Sequence, residues 1–229
     1  ARMTSLCILL LCACIVPAAL QDYDWDDWTE LDEYVWNDDG AYGITHLVTY
    51  QYPGVTLYVY NMTSQYYLDD TKVDHSLWWH VMGVAVPNEL RSGMEDAGFV
   101  FLIGGSNRDH EPPPAADLNN VGVVKMANDT GLIGCYVAQV INGPIVFYND
   151  PELRRLSGDP QIAWTFRSFI DNPEWSGPQI LTRFPMTKAA KHGVDALIDI
   201  TRIHTGLELE RFVTTGASKW GWTVWSHMA

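Results

Sequence analysis

The chain has 229 residues, of which 47% are hydrophobic and 18% charged, a composition that excludes an intrinsically disordered protein. Its formal net charge is −14, and nine carboxylates fall between Asp22 and Asp39. Because phosphate recognition needs clustered Lys and Arg, this balance excludes nucleic acid as the expected partner.

The first residues have the pattern of a secretory signal peptide. Residues 6–16 form an unbroken apolar run, followed by small residues and then by acidic ones. The run is shorter than the ~20 apolar residues of a membrane-spanning helix, and no later stretch qualifies. We predict a signal peptide over residues 1–18, a domain over residues 19–229, and a secreted, extracellular protein. A buried apolar segment is the alternative.

Removal of that segment would leave one cysteine. Cys7, Cys12 and Cys14 lie inside the predicted signal peptide, and only Cys135 lies beyond it. A lone cysteine is either a buried thiol or half of a bridge whose partner is absent. The apolar neighbours of Cys135 favour the buried thiol.

The hydrophobic pattern predicts strands before helices. Residues 44–50 and 56–62 flank the turn dipeptide Pro53-Gly54, which predicts an antiparallel hairpin. Further predicted elements, in chain order, are strands over residues 78–86 and 99–103, a helix over 117–127, a strand over 135–141, helices over 160–170 and 185–204, a strand over 211–215 and a helix from Lys219. This alternation predicts an α/β fold with a mixed, mostly parallel sheet.

The segment around Ser218 is the most informative motif. Gly216-Ala217-Ser218 follows a predicted strand and precedes a predicted helix, which is the context of the nucleophile elbow of α/β-hydrolases. The backbone N–H of Lys219, at the helix N-terminus, is then a candidate oxyanion donor. The second glycine, Gly221, follows Ser218 by three residues instead of two, and a chance match is the alternative.

A second glycine pair lies after an earlier strand. Gly104 and Gly105 follow the strand predicted over residues 99–103, where α/β-hydrolases place the other oxyanion N–H. Glycines there let the main chain approach a substrate. A plain turn is the alternative reading.

Five segments, at residues 31–35, 61–65, 102–107, 184–189 and 215–223, together resemble the PhoPQ-activated pathogenicity-related proteins, a family that includes autocrine proliferation repressors of the A type. The resemblance implies an α/β-hydrolase fold, secretion and a catalytic serine at Ser218, but no substrate. The family usually carries Arg where this chain has Trp220. The similar elbow of glucuronoyl esterases suggests ester hydrolysis, by analogy alone.

The rest of a catalytic triad is not evident. In this fold the acid and the histidine follow the serine, yet the residues after Ser218 contain no acid, and His227 is predicted to face away from it. His110, near the glycine pair, is a weaker candidate. A serine without a base stays protonated, so we expect the chain to be inactive by itself. We therefore expect it to be the N-terminal part of a hydrolase domain that continues beyond Ala229.

The sequence leaves two functions open. The first is a secreted serine hydrolase that cleaves esters or amides of a small-molecule or peptide substrate through an acyl-enzyme. The second is a secreted signalling or growth-repressing protein with a silent hydrolase fold and a cell-surface receptor as partner. No cofactor is implied, and His75 and His80 lack the spacing of zinc ligands. The sequons at Asn61 and Asn128 predict glycosylation.

Overall fold

The computed structural model describes residues 12–15, 28–107 and 111–228. Within these ranges a seven-stranded sheet is flanked by five α-helices. The strands are β1 (Cys12–Ile15), β2 (Gly43–Tyr52), β3 (Val55–Tyr66), β4 (Leu77–Pro87), β5 (Ala97–Leu102), β6 (Ile133–Val137) and β7 (Arg211–Gly216). The helices are α1 (Glu30–Trp36), α2 (Leu118–Thr130), α3 (Asp159–Asp171), α4 (Arg183–Thr205) and α5 (Lys219–Met228).

The predicted hairpin at the start of the sheet is confirmed. β2 and β3 pair antiparallel, with Tyr52 opposite Val55. Gly54 takes φ +81° in the turn between them, a conformation that favours glycine. β4 pairs antiparallel with the other side of β3, so β3 is an interior strand.

The strand order is β1-β7-β5-β6-β4-β3-β2. The mixed α/β sheet is confirmed, and its strand β5 runs parallel to both neighbours, β6 and β7. Antiparallel pairs nevertheless outnumber parallel ones among the described strands, in contrast to the expected balance. The physical reason is the connectivity: the hairpins from β2 to β4 can join only antiparallel strands, whereas a parallel pair needs a crossover. Helix α2 supplies one crossover, and the segment with α3 and α4 supplies the other.

Both faces of the sheet are covered by helices. On one face, Val123 and Ala127 of α2 pack with Leu57 of β3. On the other, Leu197 of α4 and Val224 of α5 belong to the larger apolar cluster. All five residues of β6 are buried, as expected for a strand between two helical layers.

Cys135, in the middle of β6, is a buried free thiol, as predicted. Burial raises the pKa of this thiol far above its usual range, so that the reactive thiolate is not formed.

β6 is shorter than the strand predicted over residues 135–141. It ends at Val137, and Gln139 then takes φ +53°, which turns the chain out of the sheet. Val140 and Ile141 stay buried in the loop that follows. The apolar run therefore reflects burial of this loop, which a strand pattern cannot distinguish from burial in a sheet.

His80 in β4 is a core residue. Its Nδ1 lies 2.9 Å from the carbonyl oxygen of Ala138, to which it donates, and its Nε2 accepts from the Ser64 hydroxyl at 2.9 Å. Burial lowers the pKa of His80 to about 4, and His192 acts in the same direction. Because His80 and Ser64 are both fully buried, this serine–histidine pair has no access to a substrate.

We expect the free energy of unfolding to decrease as the pH falls from about 6.5 to about 4. The unfolded His80 has a pKa near 6.5 and the folded one near 4, so the unfolded state binds more protons in this window. The neutral His80 contributes fully to the free energy of unfolding above pH 6.5, and the loss of this contribution reaches the order of 3 kcal/mol at pH 4. Urea unfolding of the wild type and of His80→Gln, which cannot titrate, measures the difference. Equal pH slopes in the two chains would contradict the expectation.

Of residues 1–18 the structure describes only β1, which pairs antiparallel with β7, with Cys12 opposite Gly216. The signal peptide over residues 1–18 and the domain boundary after it stay predictions. No helix in the described residues is long and apolar enough to cross a membrane.

Candidate active site

Ser218 lies at a sharp turn between β7 and α5. Its φ is +55°, a left-handed conformation that is unfavourable for a residue other than glycine. The carbonyl of Ala217 accepts from the amide of Trp220, and the carbonyl of Ser218 from the amide of Trp222. A strained serine at a strand-to-helix turn is the geometry of a nucleophile elbow.

The glycines around Ser218 permit this turn. A Cβ on Gly216 would lie 2.8 Å from the carbonyl carbon and the Cβ of Trp220. A Cβ on Gly221 would lie 3.0 Å from the carbonyl oxygen of Gly216. The backbones of β7 and α5 thus approach each other so closely that only glycine fits. The shifted second glycine of the motif, at position 221, serves this close packing.

The predicted oxyanion loop lies beside the elbow. β5 and β7 are parallel neighbours in register, with Leu102 opposite Gly216, so that the chain leaves both strands at the same level. Residues 103–107 then follow β5, and Gly105 takes φ +158°. The structure therefore brings Gly104, Gly105 and Lys219, the three predicted oxyanion residues, to one edge of the sheet.

Lys219 is the first residue of α5. Its backbone N–H has no acceptor within the helix, since the first amides of a helix are free. Its side chain pairs with Asp159, with 2.9 Å between Nζ and Oδ1. The free amide and the positive end of the helix suit a developing oxyanion.

A third loop, which the sequence did not identify, completes this edge. The loop after β6 crosses the oxyanion loop: the amide of Gln139 donates to the carbonyl of Gly104 at 3.3 Å, and that of Val140 to the carbonyl of Ile103 at 3.2 Å. The indole N–H of Trp220 donates to the carbonyl of Val140 at 2.7 Å. The only sign of this loop in the sequence is the apolar run over residues 135–141, which predicts a strand.

The sequence profile of the PhoPQ-activated pathogenicity-related protein family matches residues 31–229. The chain belongs to this family.

One relative is the autocrine proliferation repressor protein A of Dictyostelium discoideum, which is 34% identical over 197 residues. That alignment covers 86% of this chain and 37% of the relative, so the chain spans little more than a third of the length of the protein it matches. Among solved structures, a Bacteroides fragilis protein assigned as an acetyl xylan esterase is similar, with a TM-score of 0.40 and 13% identity, over 80% of this chain and 43% of that one.

The family match and the elbow geometry together place the chain in the α/β-hydrolase fold. The strand before the elbow, the oxyanion loop on the adjacent parallel strand and the helix after the serine occur in the order that this fold requires.

In the part of the chain that the structure describes, no histidine is hydrogen-bonded to the Ser218 hydroxyl. His227 lies in the last turn of α5, where burial lowers its pKa to about 4 and Asp195 of α4 opposes that shift. The other described histidines have partners elsewhere: His46 with Thr49, His75 with Asn142, His80 with Ser64, His192 with Asp195 and His204 with Tyr60. His110 lies outside the described residues.

A cavity of about 500 Å³ lies away from the elbow, between α1 and the start of α4. Its lining includes Glu33, Tyr34, Asp39, Lys72 and Lys188, and no residue of the elbow or of the oxyanion loop. Its position gives no support to a role in chemistry at Ser218.

The two sequons differ in accessibility. Asn128 is exposed in the last turns of α2. Asn61 is half-buried in β3, where neighbouring strands lie on both sides. Of the two predicted glycosylation sites, Asn128 is the more accessible.

Proposed function

We propose that this protein is a secreted serine hydrolase that cleaves an ester or an amide through an acyl-enzyme on Ser218. The observation that carries the proposal is the left-handed φ of Ser218 at a strand-to-helix turn, in register with a glycine loop on the neighbouring parallel strand. Strain at a single serine in this position is typical of a nucleophile that must stand clear of the sheet.

In the proposed reaction the Ser218 oxygen attacks the carbonyl carbon of the substrate. The carbonyl oxygen becomes negatively charged and is held by the N–H of Lys219 and an N–H of the Gly104-Gly105 loop. The proton of Ser218 passes to a base, the leaving group departs, and water later releases the acyl group from the serine. The base and its acid partner are not assigned to described residues.

Because no described histidine contacts Ser218, the sharpest test of the proposal is to supply a base from solution. We expect a fluorophosphonate probe to label the purified full chain slowly, and at least about tenfold faster when imidazole is added, because general-base assistance contributes ~10²–10⁴-fold. Labelling, measured by intact mass and peptide mapping, should occur at Ser218 and be lost in Ser218→Ala.

The control is Ser92→Ala, which removes an exposed serine from the loop before β5, at the opposite end of that strand from the oxyanion loop. It should leave the labelling rate within about threefold of the wild type. A folded wild-type chain that resists the probe with and without imidazole would refute the hydrolase proposal.

The alternative is a secreted signalling protein that keeps the fold without the chemistry. It is favoured by the absence of a described histidine at Ser218 and by the name of the Dictyostelium relative, an autocrine proliferation repressor. Binding to a cell-surface receptor that persists in Ser218→Ala would support this second function.

Secretion and glycosylation at Asn128 and Asn61 are part of both proposals. Recovery of the chain from the medium of a eukaryotic host, with a mobility shift on deglycosylation that Asn128→Gln reduces, tests them together. A secreted chain without any such shift would refute the glycosylation sites.

A further inference from the structure

Trp220 lies where the elbow, the oxyanion loop and the loop after β6 meet. A Cβ placed on Gly104 would be 2.9 Å from Cζ2 and 3.0 Å from Cη2 of its indole ring. The ring therefore fills the space that a side chain at position 104 would take. On the same side of the ring, next to Cζ2, the indole N–H donates to the carbonyl of Val140.

These contacts connect Trp220, the oxyanion loop and the loop after β6 to one another. Trp220 contacts Gly104 and holds Val140, and the amide of Val140 donates to the carbonyl of Ile103, one residue before Gly104. Gly105 packs equally closely against the loop after β6, because a Cβ at Gly105 would lie 2.9 Å from Cγ of Gln139. The two glycines have no side chains with which to fix themselves, so their position depends on these neighbours.

We propose that Trp220 is a positioning residue that sets the distance between Ser218 and the oxyanion amides of the Gly104-Gly105 loop. This inference rests on the proposed function. The two oxyanion donors come from segments more than a hundred residues apart, and a displacement of about 1 Å costs on the order of a hundredfold in rate. Trp220 belongs to the helix that begins at Lys219, directly after Ser218, and it touches the loop that carries the other donor.

The test measures the inactivation rate constant and the inhibition constant of a fluorophosphonate on the full chain, with imidazole present. Trp220→Phe removes the indole N–H and the outer part of the ring. We expect its rate constant to fall by at least about tenfold while the inhibition constant changes by less than about threefold, because the oxyanion develops only in the transition state. A rate constant within threefold of the wild type would overturn the proposal.

Trp225→Phe is the matched control. Trp225 lies on the same helix and is 57% exposed, and both kinetic constants should stay unchanged. A loss of the same size in Trp225→Phe would show a general effect on α5 and would overturn the positioning role of Trp220.

A second pair of variants tests the contact itself. Gly104→Ala should slow labelling, because the new Cβ meets the indole, and Gly104→Ala combined with Trp220→Leu should recover at least about threefold of that loss. Independent, multiplicative effects of the two substitutions would count against a direct contact.

Amide hydrogen exchange separates this inference from the hydrolase proposal. If the wild type is not labelled, the hydrolase proposal fails, yet Trp220→Phe should still speed exchange at the Gln139 and Val140 amides by at least about tenfold. Trp225→Phe should leave the exchange rates of these two amides unchanged. Unchanged exchange at these amides in Trp220→Phe would overturn the inference by itself.

Discussion

Gly216→Ala is expected to reduce the labelling of Ser218 by at least about a hundredfold and to lower the free energy of unfolding by about 2 to 3 kcal/mol. The added methyl group would lie 2.8–2.9 Å from the carbonyl carbon, the carbonyl oxygen and the Cβ of Trp220. Two of these atoms belong to the backbone of α5, so the clash can be relieved only by moving the helix that carries the elbow. Fluorophosphonate labelling and urea unfolding measure the two effects.

Gly122→Ala is the matched control for this substitution. Gly122 lies in α2, and a Cβ there meets nothing within 4 Å. Alanine should leave labelling unchanged and stabilise the helix by up to about 1 kcal/mol, since glycine is a poor helix former. If Gly216→Ala were folded and labelled as fast as Gly122→Ala, the conclusion that β7 and α5 approach too closely for a side chain at position 216 would be wrong.

Asp39→Asn is expected to lower the free energy of unfolding by about 3 to 5 kcal/mol. Lys188, on α4, is almost wholly buried, and its Nζ lies 3.0 Å from Oδ2 of Asp39 and 2.6 Å from the carbonyl oxygen of Asn37. Removing the carboxylate charge leaves a buried ammonium group without its counter-charge, while an amide retains an acceptor oxygen. Urea unfolding at constant pH measures the loss.

Two further variants isolate the charge effect. Asp39→Asn combined with Lys188→Met removes both charges and should recover most of the lost stability, because an apolar replacement of a buried ion pair is often neutral. Asp129→Asn breaks the exposed pair with Lys125 and should cost less than about 1 kcal/mol. A double variant as unstable as Asp39→Asn would show that the loss comes from the other hydrogen bonds of Asp39, to the amides of Ala41 and Tyr66.

Lys188 is connected to the elbow through the packing of α4 against α5. α4 carries Lys188 and packs against α5, so the elbow helix is backed by a helix that is anchored to the segment after α1. Arg183, at the start of α4, donates to the carbonyl of Lys219 at 2.8 Å and lies 3.9 Å above the ring of Trp222. These contacts hold the start of α5, the helix that follows Ser218.

The sequence by itself determined the local elements and the most specific motif. The turn at Pro53-Gly54, the helix from Lys219 and the elbow serine were all predicted, because turn chemistry, apolar period and helix boundaries depend on residues close together in the chain. The family was predicted from the resemblance of five segments, and the family match confirmed it. The strand predicted over residues 135–141 was too long, because an apolar run marks burial and burial does not require a strand.

Only the tertiary structure decided how the site is assembled. The register of Leu102 against Gly216 brings the oxyanion loop level with the elbow, and Trp220 joins that loop to Val140, which lies 80 residues away in the chain. His80 and Lys188 likewise became core groups through partners on other elements, Ala138 and Asp39. Such pairings depend on how sheet and helices pack together, and local sequence patterns carry no information on which distant residues will meet.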